Sequence, residues 1–166
     1  MAAAGPLPFR VRPWVPGRDR AAVVAMNAAL QEHERARRPS RRPGAAMAEA
    51  HTADTERVLD EAGEAAAALL VAEAPDGRLL GFAVVVEERD GLEAEPREAR
   101  LRDLYVAPEA RRAGVTRALV DAARAFARAR SVRRMVVTAL LANAEAVAAY
   151  RALGFRETFV EFEGEA

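Results

Sequence analysis

A glycine beside several arginines follows a hydrophobic stretch in the segment Leu104-Tyr-Val-Ala-Pro-Glu-Ala-Arg-Arg-Ala-Gly-Val-Thr-Arg-Ala-Leu119. The pattern predicts a buried strand, a short loop and a helix that begins near Gly114. The first turn of a helix leaves backbone N–H groups unpaired, and the helix dipole adds positive charge there. Gly114 has no Cβ to keep a diphosphate from the backbone, and Arg111, Arg112 and Arg117 would supply guanidinium donors. A phosphate site and a merely solvated helix start both fit this segment alone.

A second group of informative residues follows about 30 residues later. Asn143 stands at the N-cap position of a predicted helix. The segment Ala149-Tyr-Arg-Ala-Leu-Gly-Phe155 ends that helix, with Gly154 as its C′ residue. A phenol such as that of Tyr150 has an ordinary pKa near 10, so it keeps its proton at neutral pH. Tyr150 is therefore suited to donate a proton, or else packs as a core aromatic on an amphipathic helix.

Acidic and basic side chains near these segments are candidates for accepting a proton. Asp103 lies on the predicted strand close to Arg100 and Arg102, and it could simply pair with one of these arginines at the sheet surface. His33 and Glu34, at the end of the first predicted helix, are weaker candidates, because a lone histidine there is more often a surface residue.

The elements that must position these residues follow from the hydrophobic periodicity. Strands are predicted at residues 9–13, 68–73, 79–87, 99–106, 132–139 and 156–162, and helices at 19–35, 52–62, 115–126 and 144–153. Pro75-Asp76-Gly77 predicts a turn that joins the second and third strands in an antiparallel hairpin. The arginine-rich segment 37–46 predicts a mobile loop. This order of elements favours an α+β fold with a mixed sheet.

The motifs together resemble the GCN5-related N-acetyltransferase (GNAT) family. They are Arg-Arg-x-Gly-x-x-x-x-Leu after a strand that ends in Tyr-Val-x-Pro, followed by an asparagine and Tyr-x-x-Leu-Gly-Phe. The resemblance implies a mostly antiparallel central sheet flanked by about four helices and splayed at strands four and five. It also implies acetyl-CoA as the donor and a primary amine as the acceptor.

The same resemblance implies where the donor lies. The backbone of Leu104, Tyr105 and Val106 would hold the pantetheine arm, and Asn143 would contact that arm. The pyrophosphate would lie in a loop formed by Arg111, Arg112, Ala113, Gly114, Val115, Thr116 and Arg117. Acetyl-CoA would be a co-substrate, and no metal ion is implied.

Two further implications concern the chemistry. Tyr150 matches the usual general acid of the family, and Asp103 matches an acidic residue that meets the acceptor amine in some members. An alkyl amine has an ordinary pKa near 10.4, so a side chain or a chain of waters must accept its proton before it attacks the thioester. Thr116 departs from the family pattern, which has a small residue there. Its hydroxyl would either contact phosphate or crowd the loop.

Composition narrows the classes of protein that remain. The 166 residues predict a single domain over residues 1–166, with residues 1–8 as a disordered tip. The lack of cysteine excludes thiolate zinc sites, disulfides and a cysteine nucleophile. All 25 basic residues are arginine and are balanced by 25 acidic residues, so bulk charge favours neither nucleic acid nor an anionic membrane. No apolar run approaches the roughly 18 residues of a membrane span. The lack of cysteine favours a cytoplasmic protein, and a composition with arginine as its only cation other than histidine and with no isoleucine is typical of a GC-rich, bacterial genome.

Three functions are compatible with the sequence. The first is an amine N-acetyltransferase that acts by direct attack on the thioester. The second is a catalytically weak domain of the same fold that binds acyl-CoA as a sensor, and the third, disfavoured by the balanced charge, is a nucleic-acid module. The acceptor, a small amine or a peptide, is not named by the motifs. The arginine-rich loop would favour acceptors that carry a carboxylate or phosphate, and a homodimer is expected.

Overall fold

A mixed five-stranded sheet forms the centre of the molecule, with its strands in sequence order. The computed structural model describes residues 8–89, 91–92 and 97–164. The strands are β1 (Arg10–Pro13), β2 (Ala67–Glu73), β3 (Leu79–Arg89), β4 (Arg97–Val106) and β5 (Arg134–Val137). Neighbours pair antiparallel from β1 to β4, and β4 pairs parallel with β5. The mixed, mostly antiparallel sheet expected from the sequence is confirmed.

The described residues contain four helices, and helices pack on both faces of this sheet. They are α1 (Pro16–Arg35), α2 (Gly44–Ala62), α3 (Val115–Ala129) and α4 (Ala144–Ala152). Successive side chains of a strand point to opposite faces, so Leu69 and Val71 of β2 pack on the side of α1, while Leu70 packs on the side of α3. The sheet is therefore packed on both faces.

Most predicted elements are confirmed to within three residues of their bounds, including the hairpin that Pro75-Asp76-Gly77 closes. In that turn Gly77 has a φ of +85°, and Ala74 N–H donates to the carbonyl of Arg78 at 2.9 Å. No helix in the described ranges is long and apolar enough to cross a membrane. The predicted disordered tip falls on residues of which all but Pro8 lie outside the described part of the chain.

The predicted start of the second helix at residue 52 is wrong, because α2 begins at Gly44. Pro43-Gly44 is a pattern typical of a loop, but here Pro43 is the N-cap and Gly44 N–H donates to Oε2 of Glu32 at 3.0 Å. A Cβ at Gly44 would overlap the carbonyl of Ala28 on α1. The glycine thus allows two helices to pack closely, which local periodicity does not reveal.

The predicted strand at 156–162 is also wrong, since residues 155–164 have no helix or strand. Phe159 and Phe162 in this segment are 86% and 92% exposed. Strand pairing is stabilised by burying such side chains against neighbours, and here they meet none. The segment is instead held by ion pairs, of Glu157 with Arg151 and of Glu163 with Arg38.

Candidate active site

The fourth and fifth strands separate where the sequence motifs begin. Their pairing runs from Glu98 with Arg134 to Leu101 with Val137, and β4 then continues to Val106 without β5 beside it. The expected splay between these strands is confirmed.

The open part of β4 presents alternate backbone groups to the gap. Ala107 N–H donates to the carbonyl of Leu80 at 2.9 Å, and Tyr105 is paired with Phe82. Antiparallel ladders alternate hydrogen-bonded and non-bonded pairs, so the backbone groups of Tyr105 point to β3. Those of Leu104 and Val106 point into the gap.

The loop before α3 has an unusual backbone. Arg112 has a φ of +64° and Gly114 a φ of +86°. Left-handed residues within such a turn direct successive N–H groups into a concavity that favours anions. Gly114 is also the N-cap of α3, where the helix leaves further N–H groups unpaired. The loop thus presents backbone N–H groups of the kind that bind anions.

The arginines of this loop differ in their contacts. Nε of Arg111 donates to the carbonyl of Val106 at 3.4 Å, and its Nη1 lies 3.9 Å from Oε1 of Glu145. Within the described residues, Arg112 and Arg117 make no ion pair and are exposed. Thr116 is half-buried in the first turn of α3. Arg111 therefore spans the gap, and the other two arginines are available to a ligand.

Asn143 and Gly154 fix the ends of α4. Asn143 Oδ1 accepts from Ala146 N–H at 3.2 Å, which confirms the predicted N-cap. Gly154 has a φ of +85°, and Phe155 N–H donates to the carbonyl of Tyr150 at 3.0 Å. The predicted C′ glycine is confirmed, and Tyr150 is fixed in the last turns of this helix.

Tyr150 is partly buried and lies within reach of acidic side chains. Its ring meets that of Phe155 edge to face, with 5.7 Å between the centroids. Burial, with the charges of Glu34 and Asp103, raises the pKa of Tyr150 to about 12. Its hydroxyl makes no hydrogen bond to another described residue. The phenol thus keeps its proton throughout the physiological range, and Asp103 lies within electrostatic reach of it.

Asp103 pairs with a residue that sequence reasoning missed. Its Oδ1 lies 3.0 Å from Nε2 of His51 on α2. The alternative in which Asp103 pairs with a neighbouring arginine is wrong, because Arg100 pairs with Glu88 and Glu98, and Arg102 lies 3.6 Å from Asp54. The hydrogen bond to Asp103 is the main cause that raises the pKa of His51.

His51 was missed because the predicted second helix began one residue after it. One signal could have found it, since Ala48, Thr52 and Thr55 recur at helical spacing and are all buried. Extending that pattern one turn towards the N-terminus would have placed His51 on a helix, although not beside Asp103.

The weaker candidates, His33 and Glu34, lie at the end of α1. Burial and the charges of Arg37 and Arg111 lower the pKa of His33. Glu34 is held by Arg41, with 2.7 Å between Oε2 and Nη1. Other arginines of the loop between α1 and α2 also meet carboxylates, as Arg38 does with Glu163. Much of the positive charge expected to attract an anionic acceptor is therefore offset.

Comparisons of the sequence and the fold with known proteins all find acetyltransferases. Residues 27–155 match the model of the acetyltransferase (GNAT) family. An aminoglycoside N(6′)-acetyltransferase type 1 of Klebsiella aerogenes is 41% identical over 92 residues, which cover 55% of this chain and 60% of the relative. The chain thus matches less than two thirds of the length of that relative. A protein of the same description from Stenotrophomonas maltophilia is 35% identical over 106 residues, 62% of this chain and 69% of its own.

A solved structure has the same fold over nearly the whole chain. AAC(6′)-Iy, in complex with the bisubstrate analogue CoA-S-monomethyl-acetylneamine, is 23% identical and gives a TM-score of 0.67. The match covers 95% of this chain and 98% of that one.

No cluster of three or more metal-ligating side chains is found within the described ranges.

Proposed function

Because the chain belongs to the GNAT family of acetyltransferases, we propose that it transfers an acetyl group from acetyl-CoA to a primary amine. The observation that carries this proposal is the gap beyond Leu101 and Val137, where β4 has no partner strand and leads to a loop with two left-handed residues. An open strand edge offers hydrogen bonds to an extended ligand, and such a loop offers N–H groups to its phosphates.

The donor would lie along this gap. The backbone groups of Leu104 and Val106 would pair with the amides of the pantetheine arm, while Tyr105 between them keeps the strand in register with β3. Asn143 uses Oδ1 as the cap of α4, which leaves its Nδ2 to donate to the same arm. In this proposal Leu104 and Val106 bind the donor directly, and Tyr105, the third predicted residue, acts through the strand.

The pyrophosphate would lie in the loop from Arg111 to Arg117. Its N–H groups and the exposed Arg112 and Arg117 supply donors, and the open space around Gly114 leaves room for the phosphates. The Arg111 side chain would leave the carbonyl of Val106 as the pantetheine binds. Its guanidinium would then turn to the phosphates.

The acceptor we propose is an amino sugar of the aminoglycoside class. Carboxylates of Glu34 and Asp103 act on Tyr150, so the end of the gap beside it attracts a cationic amine. The two curated relatives are aminoglycoside N(6′)-acetyltransferases, and the structural neighbour holds CoA joined to an acetylneamine. Acceptors with a carboxylate or phosphate are disfavoured by the same acidic groups.

The chemistry would be a direct transfer. The amine loses a proton, its nitrogen forms a bond with the carbonyl carbon of the thioester, and the C–S bond breaks. Asp103 provides the negative charge that draws the ammonium group to this position. Tyr150 acts as the general acid from the side of the departing sulfur.

The pKa of Tyr150 defines how it would act. A thiol has an ordinary pKa near 8.5, so a free thiolate holds a proton less tightly than a tyrosine with a pKa of about 12. Tyr150 would therefore act while the C–S bond is breaking, by donating its O–H to the sulfur as negative charge develops. The attacking nitrogen releases its second proton as the amide forms, and a proton from solvent restores the phenol of Tyr150.

Release of free thiol from acetyl-CoA tests the proposal. We expect turnover with aminoglycosides that carry a 6′-amine and little with amino acids, peptides or spermidine. Turnover only with an anionic amine would contradict the proposed acceptor. Thermal stabilisation by acetyl-CoA, without release of free CoA in the presence of any amine, would instead favour the acyl-CoA sensor.

The remaining expectations about assembly and location are proposals too. We propose a homodimer because Phe159, Val160 and Phe162 are exposed close together in residues 155–164. A cytoplasmic, bacterial enzyme fits the bacterial sources of both curated relatives.

A further inference from the structure

We propose that His51 accepts the proton of the acceptor amine at its Nδ1, and that Asp103 is the positioning residue that holds His51 for this step. The inference deepens the proposed function and rests on it. It names a catalytic residue on α2, outside the motifs of β4, the loop and α4.

The contact between the two side chains fixes the imidazole. Nε2 of His51 lies 3.0 Å from Oδ1 of Asp103, and a carboxylate at this distance accepts the Nε2 proton. The neutral ring is then held as the tautomer whose Nδ1 carries a lone pair. The described residues provide no hydrogen-bond partner for Nδ1, and that atom is not among the buried polar atoms without a partner. Nδ1 is therefore open to a ligand.

Burial separates the roles of the two residues. The side chain of Asp103 is 10% exposed, and that of His51 is 27% exposed. The backbone of His51 is fixed as well, because Thr55 Oγ1 donates to its carbonyl at 3.0 Å. The imidazole is thus more accessible to an amine than the carboxylate that holds it.

The chemistry of the two groups favours the same assignment. An imidazole has an ordinary pKa near 6.5 and a carboxylate one near 4, so the imidazole is better matched to taking a proton at neutral pH. In the proposed step the N–H bond of the ammonium breaks and the proton passes to Nδ1. The freed electron pair attacks the thioester, and the imidazolium, stabilised by Asp103, later returns the proton to solvent.

The charges around His51 determine the pH dependence. Asp103 on β4 and Asp54 on α2 raise the pKa of His51, while burial and Arg102 on β4 lower it, with a net increase above 6.5. A base must be neutral to act, so kcat/KM should rise as pH increases through a pKa above 6.5. Tyr150 should remain protonated across that range, so no decline from it is expected below about pH 10.

The test compares pH profiles of kcat/KM for acetyl-CoA and a 6′-amino aminoglycoside. His51→Gln keeps a donor to Asp103 but has no basic nitrogen. We therefore expect kcat/KM to fall 10²–10⁴-fold and its pH profile to lose the rising limb above pH 6.5. Asp103→Asn keeps the imidazole but removes the charge that raises its pKa, so the limb should move to lower pH. His33→Gln, which changes the other histidine of the chain, should keep the limb where it is.

The outcomes separate this inference from the proposed function. Absence of turnover in the wild type with every amine would contradict the proposed function. An active wild type with an unchanged profile in His51→Gln would overturn only the role of His51, as would loss of the limb in His33→Gln. Stabilisation of His51→Gln by acetyl-CoA checks that the variant is folded. If it is not, the position of the limb in Asp103→Asn decides.

Discussion

At the scale of single residues, the proposed role of Gly114 in binding the donor can be tested against Gly77, because the two glycines have nearly the same backbone φ. Gly114 has a φ of +86° and Gly77 one of +85°, and a Cβ on either would meet no atom within 4 Å. A valine at either position is strained by the left-handed backbone, at a cost of roughly 1–2 kcal/mol or more. At Gly114 it would also occupy the space of the proposed diphosphate.

We therefore expect Gly114→Val to lose the thermal stabilisation by acetyl-CoA, which at 100 times Kd is about 2.7 kcal/mol in the wild type. Gly77→Val should lower the melting temperature comparably and still respond to acetyl-CoA. Melting curves with and without acetyl-CoA give the comparison. Equal responses in the two variants would show that the diphosphate binds elsewhere.

Tyr150 is the second residue whose role can be isolated. Tyr150→Phe keeps the edge-to-face contact with Phe155 and removes only the hydroxyl, which makes no hydrogen bond to another described residue. We expect kcat to fall by about 10²–10⁴-fold, while melting temperature and acetyl-CoA affinity barely change. The shape of the rate profile between pH 6.5 and 10 should be retained.

A structural tyrosine predicts the opposite pattern. Loss of a buried hydroxyl with a partner would cost about 1–3 kcal/mol of stability and leave kcat unchanged. Melting temperature and kcat measured on one preparation therefore distinguish the two roles.

Residues whose signals are local could be predicted from the sequence, and those defined by distant contacts could not. Asn143 and Gly154 were identified as caps because a helix end needs those residue types within a few positions of it. His51 meets Asp103 across 52 positions, and no pattern near either residue encodes that pair.

At the scale of elements, the packing of α1 against α2 places His51. Gly44 lies two turns before it, and a Cβ there would overlap the carbonyl of Ala28 and lie 2.8 Å from the backbone nitrogen of Glu32. The two helices must separate to accept any side chain at this position.

Gly44→Ala should therefore destabilise the protein by roughly 1–3 kcal/mol and lower kcat/KM by moving His51. Gly17→Ala is the matched control, since Gly17 also lies early in a helix but has nothing within 4 Å of its Cβ. That variant should be neutral or slightly stabilising, because alanine favours helix. Urea unfolding of both variants gives the comparison, and equal stabilities would contradict close packing at Gly44.

Elements with local sequence signals could be predicted, and features that depend on a partner strand could not. Strands β2 and β3 follow from their hydrophobic runs and the turn between them. A register shift between Val84 and Val85, opposite Arg102, was not predicted, because a bulge depends on both strands. Residues 156–162 have a composition suited to a strand, but they form none because no neighbouring strand pairs with them.

At the scale of the whole molecule, the exposed apolar side chains of residues 155–164 predict self-association. We expect sedimentation equilibrium to give twice the chain mass of 17.9 kDa. The double variant Phe159→Glu and Phe162→Glu should sediment as a monomer, whereas Leu141→Glu, at another exposed apolar residue, should remain a dimer. A monomeric wild type would contradict the proposed homodimer.

The overall architecture could be predicted because family motifs and periodicity agree over most of the chain, and the family match at residues 27–155 confirms it. The electrostatics of the site could not be predicted, because the balance of 25 acidic and 25 basic residues does not show which side chains pair. Arg38 and Arg41 of the loop between α1 and α2 are paired with carboxylates, which offsets positive charge that the sequence suggested was available to an anionic acceptor.

The open edge of β4 has a consequence for amide hydrogen exchange. The N–H groups of Asp103 and Tyr105 point to β3, whereas those of Leu104 and Val106 point into the gap. Deuterium should therefore enter this strand at every second residue, although all of them belong to one regular element. Bound acetyl-CoA should slow exchange at Leu104 and Val106 and remove the alternation, so the ligand would complete the ladder that β5 leaves unfinished.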